Sequence, residues 1–78
     1  MLLDIITPDT KLYSGEVTSV VLPGIDGELG VLNNHAPLIT ALKEGTISIT
    51  KETGENESFV TKGGIVEVLN NKVIVLAE

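Results

Sequence analysis

The chain has 78 residues, a formal net charge of −6 and no cysteine, and 42% of its residues are hydrophobic. Eleven acids are set against five lysines and no arginine, which argues against nucleic-acid binding because that affinity comes from neutralising phosphates with Lys and Arg. The lack of cysteine excludes disulfides and thiolate metal sites.

The length predicts one domain over residues 1–78. The first residues lack the basic and apolar regions of a signal peptide, and no apolar run approaches the roughly 20 residues that span a bilayer. We therefore expect a soluble bacterial cytoplasmic protein that does not itself insert into a membrane.

Strand-forming residues are abundant: valine, isoleucine and threonine together number 25, and β-branched side chains favour pleated structure. No segment has a helical pattern. Turn signals separate eight to ten short predicted strands, in chain order at residues 2–7, 11–14, 16–23, 30–32, 37–42, 46–50, 58–61, 65–69 and 72–77. This spacing is typical of an all-β fold, an antiparallel sandwich or a flattened barrel.

The predicted strands at 65–69 and 72–77 are apolar on both faces. One face of a sheet in a two-layer fold normally meets water. Two explanations are open: the strands curl around a barrel, or a partner covers their outer face.

The stretch from 24 to 38 has the least ordinary local chemistry, with glycines at every third position, Gly24, Gly27 and Gly30. Glycines permit positive φ and tight reversals. We predict a turn that displays Asp26 and Glu28, followed by a second turn at residues 33–35.

His35 is the only histidine. A zinc site needs three or four ligands from Cys, His and carboxylates, and no serine lies in a nucleophile elbow. We interpret His35 as a turn residue that hydrogen-bonds the loop backbone, with a partner contact as the alternative.

The three glycines do not match a phosphate-binding motif, because the spacing differs and no helix follows. Asp26 and Glu28 are either solvated charges or a docking site for a basic loop. We predict no catalytic residue, no cofactor and no metal site, and hence a small all-β interaction module.

Motifs along the whole chain nevertheless identify a family: Ser14-Gly15, GELG at 27–30, HAPL at 35–38, GGIVEV at 63–68 and VLA at 75–77. From about Leu3 to Ala77 the sequence resembles the N-terminal β-sandwich domain of the ε subunit of bacterial F-type ATP synthase. The resemblance implies about ten short strands in two five-stranded sheets.

The resemblance also implies a non-catalytic subunit of the central stalk, which couples proton flow to ATP synthesis on the cytoplasmic face of the bacterial membrane. Its partners would be the γ subunit and the c ring, with the α3β3 head contacted only indirectly. In the family, the turn that matches Asp26, Gly27 and Glu28 faces the basic loops of the c ring. The face around His35, with Thr40 and Thr7 nearby, is turned toward γ.

The sequence departs from the family's pattern in two places. The family usually continues into a two-helix hairpin that can block ATP hydrolysis, whereas this chain ends at Glu78. If the chain is native and complete, self-inhibition and nucleotide sensing are expected to be unavailable, and the coupling and assembly role remains. Asn33 and Asn34 also stand where a proline-containing turn is common.

One alternative function is a free-standing adaptor or carrier domain, since biotinyl and lipoyl carriers are flattened all-β domains of similar length. Carriers display a modifiable lysine at a hairpin tip between characteristic neighbours. Lys51, before Glu52-Thr53-Gly54, lacks that setting.

Overall fold

The computed structural model describes residues 1–78, and the chain folds into strands and turns without a helix. Eight strands follow one another: β1 Leu2–Ile6, β2 Lys11–Gly24, β3 Gly27–Leu32, β4 Leu38–Leu42, β5 Gly45–Lys51, β6 Asn56–Thr61, β7 Gly64–Leu69 and β8 Lys72–Ala77. The predicted all-β class is confirmed.

The strands form two layers that share β2. One layer has the order β2 (first half), β1, β8, β7, β4, and the other has the order β6, β5, β2 (second half), β3. The first half of β2 pairs with β1 up to Glu16, and the second half pairs with β5 from Val17 onward. A single strand therefore passes from one layer into the other.

The eight strands lie within the eight to ten predicted from the turn signals, but three details differ from the roughly ten antiparallel strands in two five-stranded sheets that the resemblance implies. There are eight strands, and β2 is continuous where a break at Gly15 was predicted. Gly15 lies inside the ladder opposite Leu3, and the Tyr13 ring packs against it. In addition, β1 and β8 run in the same direction and pair in parallel, with Leu2 opposite Lys72.

The core lies between the two layers and consists of alternate residues along the strands. Fifteen hydrophobic residues are buried in one cluster, including Leu3 and Ile5 of β1, Ile47 of β5 and Val75 of β8. Burial of such aliphatic side chains is the main force that stabilises the fold.

The layer of β4, β7, β8 and β1 also carries apolar side chains on its outer face. Ala41, Ile65, Leu76 and Ile6 lie side by side across these four strands, and Ile65 and Leu76 are about half exposed, at 48% and 52%. Ile65 and Leu76 thus belong to the second apolar face that the sequence predicts for the strands at 65–69 and 72–77.

Candidate partner-binding site

The predicted turn at Asp26 is a tight hairpin between β2 and β3. Gly24 pairs with Gly27, which leaves Ile25 and Asp26 alone at the tip. The backbone N–H of Ile25 donates a hydrogen bond of 3.0 Å to the carbonyl oxygen of Ala41. This contact braces the hairpin tip against β4.

The residues beside the tip hold it in place. The N–H of Lys43 donates to the carbonyl oxygen of Pro23 at 2.9 Å. A Cβ on Gly24 would lie 2.6 Å from the carbonyl oxygen of Gly27, so only glycine allows the two strands to approach so closely. The hairpin is thus a built and rigid projection.

Asp26 and Glu28 are both exposed, but they occupy different elements. Asp26 lies in the turn, whereas Glu28 is the second residue of β3 and pairs with Pro23. Neither carboxylate takes part in an ion pair within the chain. Two negative charges are therefore displayed at one end of the molecule without a neutralising partner.

Thr40 lies in the middle of β4 and lines the same surface depression as Asp26, Gly27 and Glu28. Its side chain is half buried. The structure therefore brings Thr40 together with the hairpin tip, where the resemblance would have grouped it with His35.

His35 lies in the loop between β3 and β4, where its N–H donates to the carbonyl oxygen of Leu32 at 3.2 Å. Its ring Nδ1 lies 2.7 Å from the carbonyl oxygen of Ala36, so Nδ1 carries the proton that is donated. The loop is tied to the β7–β8 turn, because the Asn34 N–H donates to Oδ1 of Asn71 at 2.7 Å. His35 is thus a turn histidine bonded to its own loop.

Thr7 lies at the opposite end of the sandwich from His35. It follows the last residue of β1 and closes a turn, with its N–H and its hydroxyl both donating to the carbonyl oxygen of Thr10. The strands of this layer separate it from the His35 loop by about 17 Å, at roughly 3.3 Å per residue. Thr7 and His35 are therefore not brought together, and the expectation that they are neighbours is wrong.

Two exposed apolar features lie near these residues, of which Ile25 was not predicted from the sequence and the second belongs to the strands predicted to be apolar on both faces. Ile25 projects from the hairpin tip with 58% of its surface exposed. A groove of about 650 Å³ lies beside Thr7, lined by apolar side chains that include Ile6, Ile65 and Leu76. The signal for Ile25 was present, since a large β-branched residue is unusual in a two-residue turn.

Lys51, the residue on which a carrier function would depend, is engaged within the chain. Its Nζ lies 3.0 Å from Oε1 of Glu57 and 5.8 Å from the centre of the Tyr13 ring. The hydrogen bond and the charge of Glu57 raise the pKa of Lys51 above its ordinary value of 10.5. This lysine ends a strand and is not displayed at a hairpin tip.

The structure has no helix of the length and apolar character needed to cross a bilayer. No three residues among His, Asp and Glu come together as a metal site would require.

The whole chain, residues 1–78, matches the family described as ATP synthase, Delta/Epsilon chain, beta-sandwich domain. The chain belongs to this family. Delta/epsilon chains are subunits of a larger enzyme, and the family is not one of self-contained enzymes.

Several curated relatives are ATP synthase epsilon chains. The one from Chlorobium limicola is 46% identical over 76 residues, covering 97% of this chain and 86% of the relative. The one from Pelotomaculum thermopropionicum is 52% identical over 75 residues, covering 96% of this chain but 55% of the relative. The one from Dichelobacter nodosus is 47% identical over 74 residues, covering 95% and 52%. The chain thus spans about half the length of most of these epsilon chains.

Solved structures of ATP synthases contain the same fold. A chain of the Euglena gracilis mitochondrial enzyme superposes with a TM-score of 0.93 at 23% identity, over 99% of this chain and 49% of that one. A chain from the central stalk and c-ring structure of the Tetrahymena thermophila enzyme gives 0.83 at 17% identity, over 99% and 62%. At these identities the likeness concerns the fold of the delta/epsilon β-sandwich.

Proposed function

We propose that residues 1–78 form a single β-sandwich domain that serves as the epsilon-type subunit of the central stalk in an F-type, proton-transporting ATP synthase. The chain would carry no chemistry of its own and would couple proton flow to ATP synthesis. The observation that supports this most is the match of the entire chain to the delta/epsilon β-sandwich family, together with epsilon-chain relatives near 50% identity.

On the c-ring side, the proposed contact is the hairpin of Asp26, Gly27 and Glu28. Two unpaired carboxylates on a projection braced against β4 suit a partner that presents basic loops. A rigid projection loses little conformational entropy on binding, which favours a stable contact. The net charge of −6 adds long-range attraction to a basic surface.

On the γ side, the proposed contacts are His35, Thr40 and Thr7. Since Thr7 and His35 lie at opposite ends of one layer, a γ contact that includes both would extend along the whole layer. The outer apolar row supports a contact at the Thr7 end of this layer, because Ile65 and Leu76 expose about half of their surface and line the groove beside Thr7.

In this role the chain is peripheral to the membrane, on its bacterial cytoplasmic face, held there by γ and the c ring. The α3β3 head would be reached only through γ.

Affinity purification tests the proposal. The chain is tagged in its native host, membranes are solubilised in mild detergent, and the co-purifying proteins are identified by mass spectrometry. Recovery of the γ, α, β and c subunits in constant ratio is the expected result. Recovery of the chain alone from the soluble fraction, with an intact synthase elsewhere, would mean that the fold serves another function.

A further inference from the structure

Ile25 occupies a turn position where its residue type is uncommon. It is the first of two residues in a tight turn, where Gly, Asn, Asp and Ser are the usual choices, and it leaves 58% of its surface in water. Neither Ile25 nor Asp26 has a positive φ, so the turn tolerates isoleucine without requiring it. A large apolar side chain left mostly in water at the tip of a hairpin is a candidate contact for a partner.

The backbone that carries Ile25 is held in place by hydrogen bonds. Its own N–H is bonded to Ala41, and Pro23, two residues earlier, is bonded to Lys43. The following residues supply exposed carboxylates at Asp26 and Glu28. An apolar side chain beside charges that remain solvated is the arrangement of a binding hot spot, in which an apolar centre is shielded by a polar rim.

We propose that Ile25 is the apolar anchor of the hairpin tip, and that it enters a recess between positively charged loops of the partner surface. This inference rests on the proposed function, in which that surface is the c ring, and it adds a component that does not depend on charge. Asp26 and Glu28 then orient the tip by attraction, while Ile25 supplies affinity through burial.

The test measures binding of the complex of this chain with γ to detergent-solubilised c ring from the same cells, immobilised on a sensor surface. Ile25→Asn keeps a residue suited to the turn and removes the apolar surface, and Ile25→Leu restores it. Val60→Thr is the control, because Val60 is 80% exposed and lies on β6, which β5 separates from β2 in the same layer. Thermal unfolding of each variant identifies any loss of folding.

We expect Ile25→Asn to raise the dissociation constant about tenfold, as truncation of an anchor does, and Ile25→Leu and Val60→Thr to change it less than about threefold. The loss with Ile25→Asn should be equal at low and high salt, whereas the loss with Glu28→Gln should diminish at high salt because exposed charges are screened.

Failure of the Ile25 anchor and failure of the proposed function would give different binding results. If the wild-type complex binds the c ring and Ile25→Asn binds equally well, Ile25 is not an anchor and the proposed function stands. If the wild-type complex does not bind at any salt concentration, the proposed function fails and the anchor with it.

Discussion

Gly64 of β7 lies so close to Leu76 of β8 that a Cβ on Gly64 would overlap the Leu76 carbonyl oxygen. The φ of Gly64 is 140°, a conformation that residues with a Cβ rarely adopt. We therefore expect Gly64→Ala to lower the free energy of unfolding by about 2–4 kcal/mol, from strain together with the overlap. Urea denaturation measures this loss.

The matched control is Gly30→Ala in β3, where a Cβ would meet no atom within 4 Å. This change should leave stability unaltered or raise it by up to about 1 kcal/mol, because alanine restricts the unfolded chain. Equal losses at Gly64 and Gly30 would contradict the close approach of β7 and β8.

The same substitution should have different costs in the core and on the surface. Ile47→Val removes a methylene from a fully buried side chain and should cost about 0.5–1.5 kcal/mol. Ile39→Val removes one from a side chain that is 68% exposed and should cost less than about 0.5 kcal/mol. The comparison requires only the two denaturation curves. A larger loss at Ile39 would show that the core is not where the structure has it.

Asn33 holds the N-terminal amine of the 78-residue chain. Its Oδ1 accepts a hydrogen bond of 2.6 Å from the Met1 ammonium, which also donates to the Val17 carbonyl oxygen and lies 3.4 Å from Glu16. Asn33→Ala should lower the free energy of unfolding by about 1–2 kcal/mol, since a hydrogen bond to a charged group is lost. Asn33→Asp retains an acceptor and should be at least as stable; if it falls as far as the alanine variant, this hydrogen bond contributes little.

The pair of Lys51 and Glu57 should be visible in a titration at high pH. Because Glu57 raises the pKa of Lys51 in the folded protein, the stabilisation from the pair is fully present below the unfolded-state pKa and is lost as pH rises through the folded one. Glu57→Gln should lower the midpoint of the Lys51 titration toward 10.5. The midpoint is measured from the chemical shift of Cε, the carbon bonded to Nζ. Glu55→Gln, which removes a lesser cause, should move it less. An unchanged midpoint in Glu57→Gln would mean that the ion pair does not form in solution.

The hairpin acids should matter for coupling. Within the proposed function, Glu28→Lys places a positive charge against basic loops and should lower ATP-driven proton pumping relative to ATP hydrolysis in reconstituted vesicles, with a further loss when Asp26→Lys is added. Lys43→Glu is the control, because Lys43 lies beside the hairpin and the substitution changes the charge by the same amount with the opposite sign. Proton pumping should be retained in this variant. Unaltered pumping in the double variant would count against c-ring docking through this turn.

Most of the fold could be predicted from the sequence because the strands have local signatures, namely alternating apolar residues and turn residues at their ends. Asn70 and Asn71, for example, both adopt positive φ, at 51° and 59°, as expected for a two-residue hairpin turn of the type that asparagine favours. Alternation at 46–50 likewise predicted the inward side chains of Ile47 and Ile49, both of which are buried.

The rest depends on contacts between residues distant in sequence, which no local pattern records. Gly15 suggested a break because glycine often punctuates strands, yet it lies inside the ladder with β1, and the irregularity where β2 changes partner lies between Val17 and Ser19. The grouping of Thr7 with His35 failed for a similar reason. The direction in which each strand runs decides which loops meet, and that direction is a property of the whole topology.

The passage of β2 through both layers has a mechanical consequence. The layers cannot slip past one another unless hydrogen bonds break in the ladder with β1 and in the ladder with β5. A twisting load received at the end of β2 beside Ile25 is carried into the opposite layer along one unbroken backbone. The sandwich therefore resists shear between its two layers.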